Sequence, residues 1–155
     1  LMDIWNRWSG RRDVRGWRTF AECYIDGPEY SLGIFGHWQS GDHVVLPLVG
    51  IEFEGKYFDK DIKFADRYRV NCSHELSSEL QSAMRDAAIA VHYAMRFSGF
   101  SRMDFRVADN RAYALEVNTH PGLGPASIIP NSLACSFFTM EDAVTEMVRW
   151  CLTEP

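Results

Sequence analysis

Between Ser101 and Asn118 polar and apolar residues alternate in two short runs, the period of half-buried β-strands. Phe105 and Val107 hold apolar positions of the first run, and Tyr113, Leu115 and Val117 those of the second. Asp109-Asn110-Arg111 between them reads as a three-residue hairpin loop, since asparagine takes the left-handed conformation at low cost. A symmetric loop sets Asp104 opposite Glu116 and Arg102 opposite Asn118. Strand parity then gathers these four polar residues on one face and the five apolar ones on the other.

The rest of the chain follows the same two periods. Leu80, Met84, Ala87, Val91 and Ala94 recur at helical spacing, predicting a helix from Ser78 to Phe97 with Gly99 as its C-terminal stop. A final helix begins after Thr139, with Asp142 completing a weak capping box and Ala143, Val144, Met147, Val148 and Cys151 as its buried stripe. Upstream, strands are expected over Thr19 to Ile25, Tyr30 to Phe35 and His43 to Phe53. Turns fall at Asp26 to Glu29 and Gly36 to Asp42, and Pro47 marks an edge or a bulge in the third strand. Ala65 to His74 reads as a loop. His92, with no ligand-like company, reads as a core or surface histidine.

Composition narrows the class. At 155 residues with 46% hydrophobic content, the chain suits one domain with a substantial core. A net charge of −5 gives no general attraction to nucleic acid or to anionic membranes. No apolar run approaches a membrane span, and the N-terminus lacks a signal-peptide pattern. Cys23, Cys72, Cys135 and Cys151 are scattered without CxxC spacing, so they read as reduced, packed cysteines of a cytoplasmic protein. Residues 1–20 hold Trp5, Trp8 and Trp17 among five arginines. They are expected to be the cut end of a preceding domain or a surface segment; binding of single-stranded nucleic acid is the less favoured reading.

Two carboxylates facing each other across a ladder repel, so an empty site costs stability. Hard divalent cations take carboxylate and amide oxygens and keep room for phosphates. Asp104, Glu116 and Asn118 supply such oxygens, and the fork of Arg102 suits phosphate. The alternative is a hairpin with a solvated polar face.

The order of motifs favours the first reading. Arg102-Met-Asp104, then Leu115-Glu-Val-Asn118, then Pro121-Gly122 ending at Ser127 resembles the ATP-grasp superfamily, and within it the D-alanine–D-alanine ligases. The resemblance runs from about Ala21 to about Leu152, so the division expected is residues 1–20 and a C-terminal ATP-grasp domain over 21–155. It implies an α+β fold, mostly antiparallel sheet with packed helices. It also implies ATP as co-substrate and two Mg²⁺ or Mn²⁺ ions, one held by Asp104 and Glu116 and the other by Glu116 and Asn118. Glu22 through Ile25 would line the adenine, with backbone groups of Cys23 and Ile25 at its edge and Leu115 beneath it. Glu29 would accept from the ribose hydroxyls. Lys63 and Arg102 would meet the transferred phosphoryl group. Gly122 and Ser127 match positions that bind the carboxylate of the second amino acid, while His120, Gly124 and Pro125 depart from the usual pattern. The reaction implied is phosphorylation of one amino acid's carboxylate by ATP, followed by attack of a second amino acid's amine. The N-terminal and central domains of such enzymes have no counterpart before Glu22. A missing domain or a partner chain is therefore expected, the chain alone being inactive or nearly so, and exposed apolar surface would favour a homodimer. The rival expectation is a non-catalytic module that keeps the cleft for a nucleotide or a partner.

Overall fold

Strand β1, Glu29–His37, is the axis about which the other strands arrange themselves. The computed structural model describes residues 21–58, 62–63, 65, 67–72 and 75–153. The Arg/Trp-rich residues 1–20, and the first two residues of the strand expected from Thr19, lie outside them. After β1 come β2 (His43–Val45), β3 (Val49–Phe53), β4 (Tyr68–Asn71), α1 (Ser78–Ala94), β5 (Ser98–Ala108), β6 (Arg111–Asn118), α2 (Ile128–Leu133) and α3 (Met140–Thr153). The strands form one antiparallel sheet in the order β4-β3-β1-β5-β6, with β2 pairing the end of β1 beyond β3.

Four expectations along the sheet need correcting. Residues 21–25 join no ladder. The strand expected over His43 to Phe53 is split at Leu46–Leu48, because Pro47 has no N–H for a ladder. There Leu46 N donates to Gly33 O at 2.9 Å. Inside the loop expected over Ala65 to His74, Tyr68–Asn71 forms edge strand β4 against β3. Strand β1 also runs on to His37, past the turn expected at Gly36.

Alternation along β1 and β5 makes two very different faces. Tyr30, Leu32, Ile34, Met103 and Phe105 point to α1 and pack with Met84 and Ala88. On the opposite face, Phe35 and Phe100 stack under α2 and α3 with Ile129, Leu133 and Ala143. Further along that same face the residues become Glu29, Ser31, Arg102, Asp104 and Arg106, all buried. One face is thus dry at one end and charged at the other.

Helix α1 starts on Ser77, whose Oγ accepts from Leu80 N. It ends earlier than expected, at Met95, with Arg96 in the left-handed region (φ 56°). Phe97 N donates to His92 O and Arg96 N to Tyr93 O, each at 3.0 Å, which closes the last turn. Gly99, expected as the stop, lies within β5. The buried stripe is Met84, Ala88 and His92, and Ala94 is exposed.

His92 is 1% exposed and its Nδ1 lies 2.8 Å from Ser101 Oγ. Burial, reinforced by His43, pushes its pKa below the ordinary value of 6.5. The unfolded chain therefore takes up this proton first as pH falls, and stability drops through and below about pH 6.5. Urea midpoints of wild type and His92→Leu, followed from pH 7.5 to 5, should show the variant losing less stability over that range.

Helix α3 carries the expected capping box. Asp142 N donates to Thr139 Oγ1 at 3.1 Å, and Thr139 N to Asp142 Oδ2 at 2.9 Å. Its stripe is narrower than expected. Ala143 and Met147 pack inward with Trp150, whereas Val144, Val148 and Cys151 are exposed. The cysteines need a second correction: Cys72 and Cys135 form a disulfide, Cα–Cα 5.7 Å, joining the end of β4 to the end of α2. Cys23 and Cys151 are free and exposed.

Candidate active site

The β5–β6 hairpin turns on two residues, Asp109 and Asn110, both left-handed (φ 50° and 56°), where three were expected. Both central residues with positive φ give the primed turn that matches strand twist. Pairing starts at Ala108–Arg111 and reaches Phe105–Ala114; the next pair is Asp104–Glu116. Leu115 is the extra residue of a β-bulge, and it restores the expected Asp104–Glu116 and Arg102–Asn118 pairs. Between turn and bulge the parity is reversed. Tyr113 faces Arg106 on the charged side, and Ala112 takes the core position beside Phe105 and Val107. Leu115 and Val117, expected on the apolar face, are 39% and 37% exposed.

Arg102 and Asp104, two residues apart on β5, form a bidentate pair with Nε–Oδ1 2.8 Å and Nη2–Oδ2 2.7 Å. Ser31 Oγ, opposite Asp104 on β1, donates to Oδ1 at 2.5 Å. Burial works against the Arg102 charge, yet the bonds and charge of Asp104, with Glu116 behind it, hold its pKa above the usual guanidinium value. Glu116 stands at the rim, its Oε1 3.7 Å from Arg102 Nη2 and 3.9 Å from Lys63 Nζ. Lys63 lies in a short helical turn with its ammonium 4.7 Å from the Phe58 ring centre. Asn118 Oδ1 accepts from His120 N at 3.0 Å.

A cavity of about 340 Å³ opens beside these groups, lined by Lys63, Arg102, Gly122, Ser127, Phe58 and Tyr68 among others. Four predicted site residues therefore share one concavity. A Cβ on Gly122 would stand 2.7 Å from Ser127 Oγ, so the hydroxyl and the bare glycine backbone crowd the same corner. Tyr68 hydroxyl donates to Ala126 O at 2.7 Å, tying β4 to the loop.

The other end of the charged face is built around Arg106, which sequence reasoning missed. Its Nε donates to Glu29 Oε2 (3.2 Å), Nη1 to Ile25 O (2.8 Å) and Nη2 to Lys56 O (2.9 Å). Burial raises the Glu29 pKa, and Arg106 opposes that shift. Glu22 and Cys23 are exposed on the approach to this end. Arg102 and Arg106 are about 13 Å apart along the strand at ~3.3 Å per residue. The signal for Arg106 and Ser31 lies in the β1–β5 ladder, which forms only once the two strands are brought together. Glu29, Ser31 and Gly33 lie directly opposite Arg106, Asp104 and Arg102.

Asp104, Glu116 and Asn118 offer the hard oxygen donors that suit Mg²⁺. Both Asp104 oxygens are now engaged by Arg102, and among the described residues no group of three His, Cys, Asp or Glu is assembled for a metal. The donor chemistry fits a hard cation that shares Asp104 with Arg102.

Comparison with known proteins fits this layout. The family model described as D-ala D-ala ligase C-terminus matches residues 15–149. The chain belongs to that family. It is 30% identical over 131 residues to a D-alanine–D-alanine ligase of Flavobacterium johnsoniae, covering 84% of this chain and 40% of that protein. It is 34% identical over 111 residues to a D-alanine–D-alanine ligase of Bacillus anthracis, covering 72% of this chain and 34% of that protein. A crystal structure of the B. anthracis D-alanine–D-alanine ligase complexed with ATP superposes with a TM-score of 0.66 at 27% identity, over 84% of this chain and 40% of that one. A D-alanyl-alanine synthetase A from Vibrio cholerae gives 0.68 at 20% identity over 84% of this chain and 40% of that one, a likeness of fold. The chain thus spans about 40% of the length of such relatives. Its α+β fold, a mostly antiparallel sheet with packed helices, is that of the C-terminal part of ATP-grasp ligases. No helix among the described residues is long and apolar enough to cross a membrane.

Proposed function

We propose that this chain is the metal- and nucleotide-binding part of an ATP-dependent carboxylate–amine ligase working through an acylphosphate. What carries the reading is that Arg102, Lys63, Gly122 and Ser127 line one cavity, with Glu116 within 4 Å of both cations. The nucleotide lies along the charged face of β5, its sugar at Glu29 and its terminal phosphate near Arg102. Asp104, Glu116 and Asn118 hold Mg²⁺ or Mn²⁺, which supplies charge neutralisation on the phosphates. Arg102 and Lys63 stabilise the transferred phosphoryl group where its charge is spread over equatorial oxygens. Backbone at Gly122 and the Ser127 hydroxyl orient the second substrate's carboxylate so that its amine meets the acylphosphate. Glu22, Cys23, Ile25 and Leu115 surround the base.

The remaining substrate contacts, and full activity, come from further domains or a partner chain. Amino-acid substrates, a cytoplasmic setting, a role in peptidoglycan synthesis and a homodimer all belong to this proposal. A second reading, a non-catalytic nucleotide or partner module, draws on the full engagement of Asp104 by Arg102 and Ser31.

Calorimetry with Mg²⁺-ATP separates the two. The wild-type chain is expected to bind, and Glu116→Ala to lose affinity more than about tenfold, since even supporting groups of metal ligands contribute 10–100-fold. Equal binding by both proteins overturns the metal reading.

A further inference from the structure

Arg106 has a design that burial of one side chain does not require. It is 6% exposed, and its guanidinium donates to three acceptors from three separate stretches of chain. Those stretches are the start of β1, the segment before it, and the loop that leads toward Lys63. The ring of Tyr24 lies 4.9 Å from the guanidinium carbon, and Tyr24 hydroxyl donates to the same Lys56 carbonyl at 3.0 Å. The segment is also pressed onto β5 by its backbone. Val107 N donates to Pro28 O at 3.1 Å, and a Cβ on Gly27 would stand 2.0 Å from Val107 O.

We infer that Arg106 is a positioning residue for the sugar end of the nucleotide: it fixes the Glu29 carboxylate and the Ile25 and Lys56 carbonyls in one binding geometry. The inference rests on the nucleotide reading above. A carboxylate such as that of Glu29, on the same face of the sheet as Arg102 and Asp104, recognises vicinal hydroxyls by accepting hydrogen bonds from them. Arg106 engages Oε2, opposes the cost that burial puts on the carboxylate's charge and sets its orientation, and the second oxygen accepts from a hydroxyl. A hydrophobic residue at 106 would leave the buried Glu29 without its ion-pair partner. Ile25 O would lose its guanidinium donor with it, and Lys56 O would keep only the Tyr24 hydroxyl.

The test is a selectivity ratio, which loss of stability by itself does not move. Affinities of the chain for ATP, 2′-deoxy-ATP and 3′-deoxy-ATP are compared, with Mg²⁺ present, for wild type, Arg106→Met, Arg106→Lys and Glu29→Gln. Wild type is expected to prefer ATP about tenfold, the size of one hydrogen bond to a charged acceptor. Arg106→Met brings the three nucleotides within about twofold of one another. Where Arg106→Met fails to fold, Arg106→Lys gives the answer. It keeps a cation beside Glu29 and retains a preference, but binds every nucleotide more weakly because Ile25 O and Lys56 O lose the guanidinium fork that holds them together. An undiminished preference in Arg106→Met, or wild-type affinities in Arg106→Lys, overturns the inference. If Glu29→Gln keeps the full preference, the placement of the sugar at Glu29 is what fails. If Glu29→Gln loses it while Arg106→Met keeps it, the role of Arg106 alone fails. No nucleotide binding by wild type overturns both.

Discussion

Arg102→Ala is expected to lower the unfolding free energy by about 3–5 kcal/mol, the cost of leaving one member of a buried ion pair unpaired. Asp104 is 2% exposed and Arg102 8%, so water cannot replace the lost partner cheaply. Both Asp104 oxygens face the guanidinium at 2.7–2.8 Å, and the Ser31 hydroxyl is left as the remaining donor. Removing both charges at once should cost far less. Arg102→Met combined with Asp104→Leu keeps volume and removes the orphaned carboxylate, so most of the loss is recovered. Urea denaturation of the three proteins reads this directly. A loss under about 1 kcal/mol for Arg102→Ala would mean that the pair behaves as an exposed one.

Reduction of the Cys72–Cys135 bridge is expected to cost about 4 kcal/mol, from chain entropy restored to the unfolded state by opening a loop of this length. The two cysteines are 63 residues apart in sequence and join the end of β4 to the end of α2. Thiol titration of the unfolded, unreduced chain should find two reactive thiols, Cys23 and Cys151, of the four cysteines. Cys135→Ser should reproduce the stability loss in the absence of reductant, whereas Cys23→Ser should leave stability nearly unchanged. Four titratable thiols in the unreduced chain would contradict the bridge.

Much of the candidate site was legible because strand pairing is a short-range matter. Asp104 and Glu116 face each other because both strands alternate and the turn between them is tight. The pairs came out as expected although the turn is one residue shorter, since the Leu115 bulge supplies the missing offset. Nothing in the identity of Leu115 marks a bulge; only the fixed ends of the ladder reveal it. The pairing of Glu29 with Arg106 was out of reach for a different reason. It depends on β5 lying beside β1, a contact spanning 77 residues of sequence. The bridge between Cys72 and Cys135 is long-range in the same way, and no local spacing encodes it. β4 escaped notice because four residues, two of them charged or amide, give too few alternations to register. In α3 the apolar residues outnumber the positions that find a partner, so periodicity overstated what is buried. Val144 and Val148 are 47% and 52% exposed.

The Pro-Gly loop at 121–127 would ordinarily be free to swing over a substrate on its own. Here it is leashed at both ends of the segment that follows. Ala126 is held by the Tyr68 hydroxyl, and α2, which begins at Ile128, ends beside a covalent link to Cys72. Loop, short helix and edge strand are therefore one mechanical unit. A swing of this loop over the cavity pulls on β4 as well, bending the sheet's edge rather than flapping a single loop.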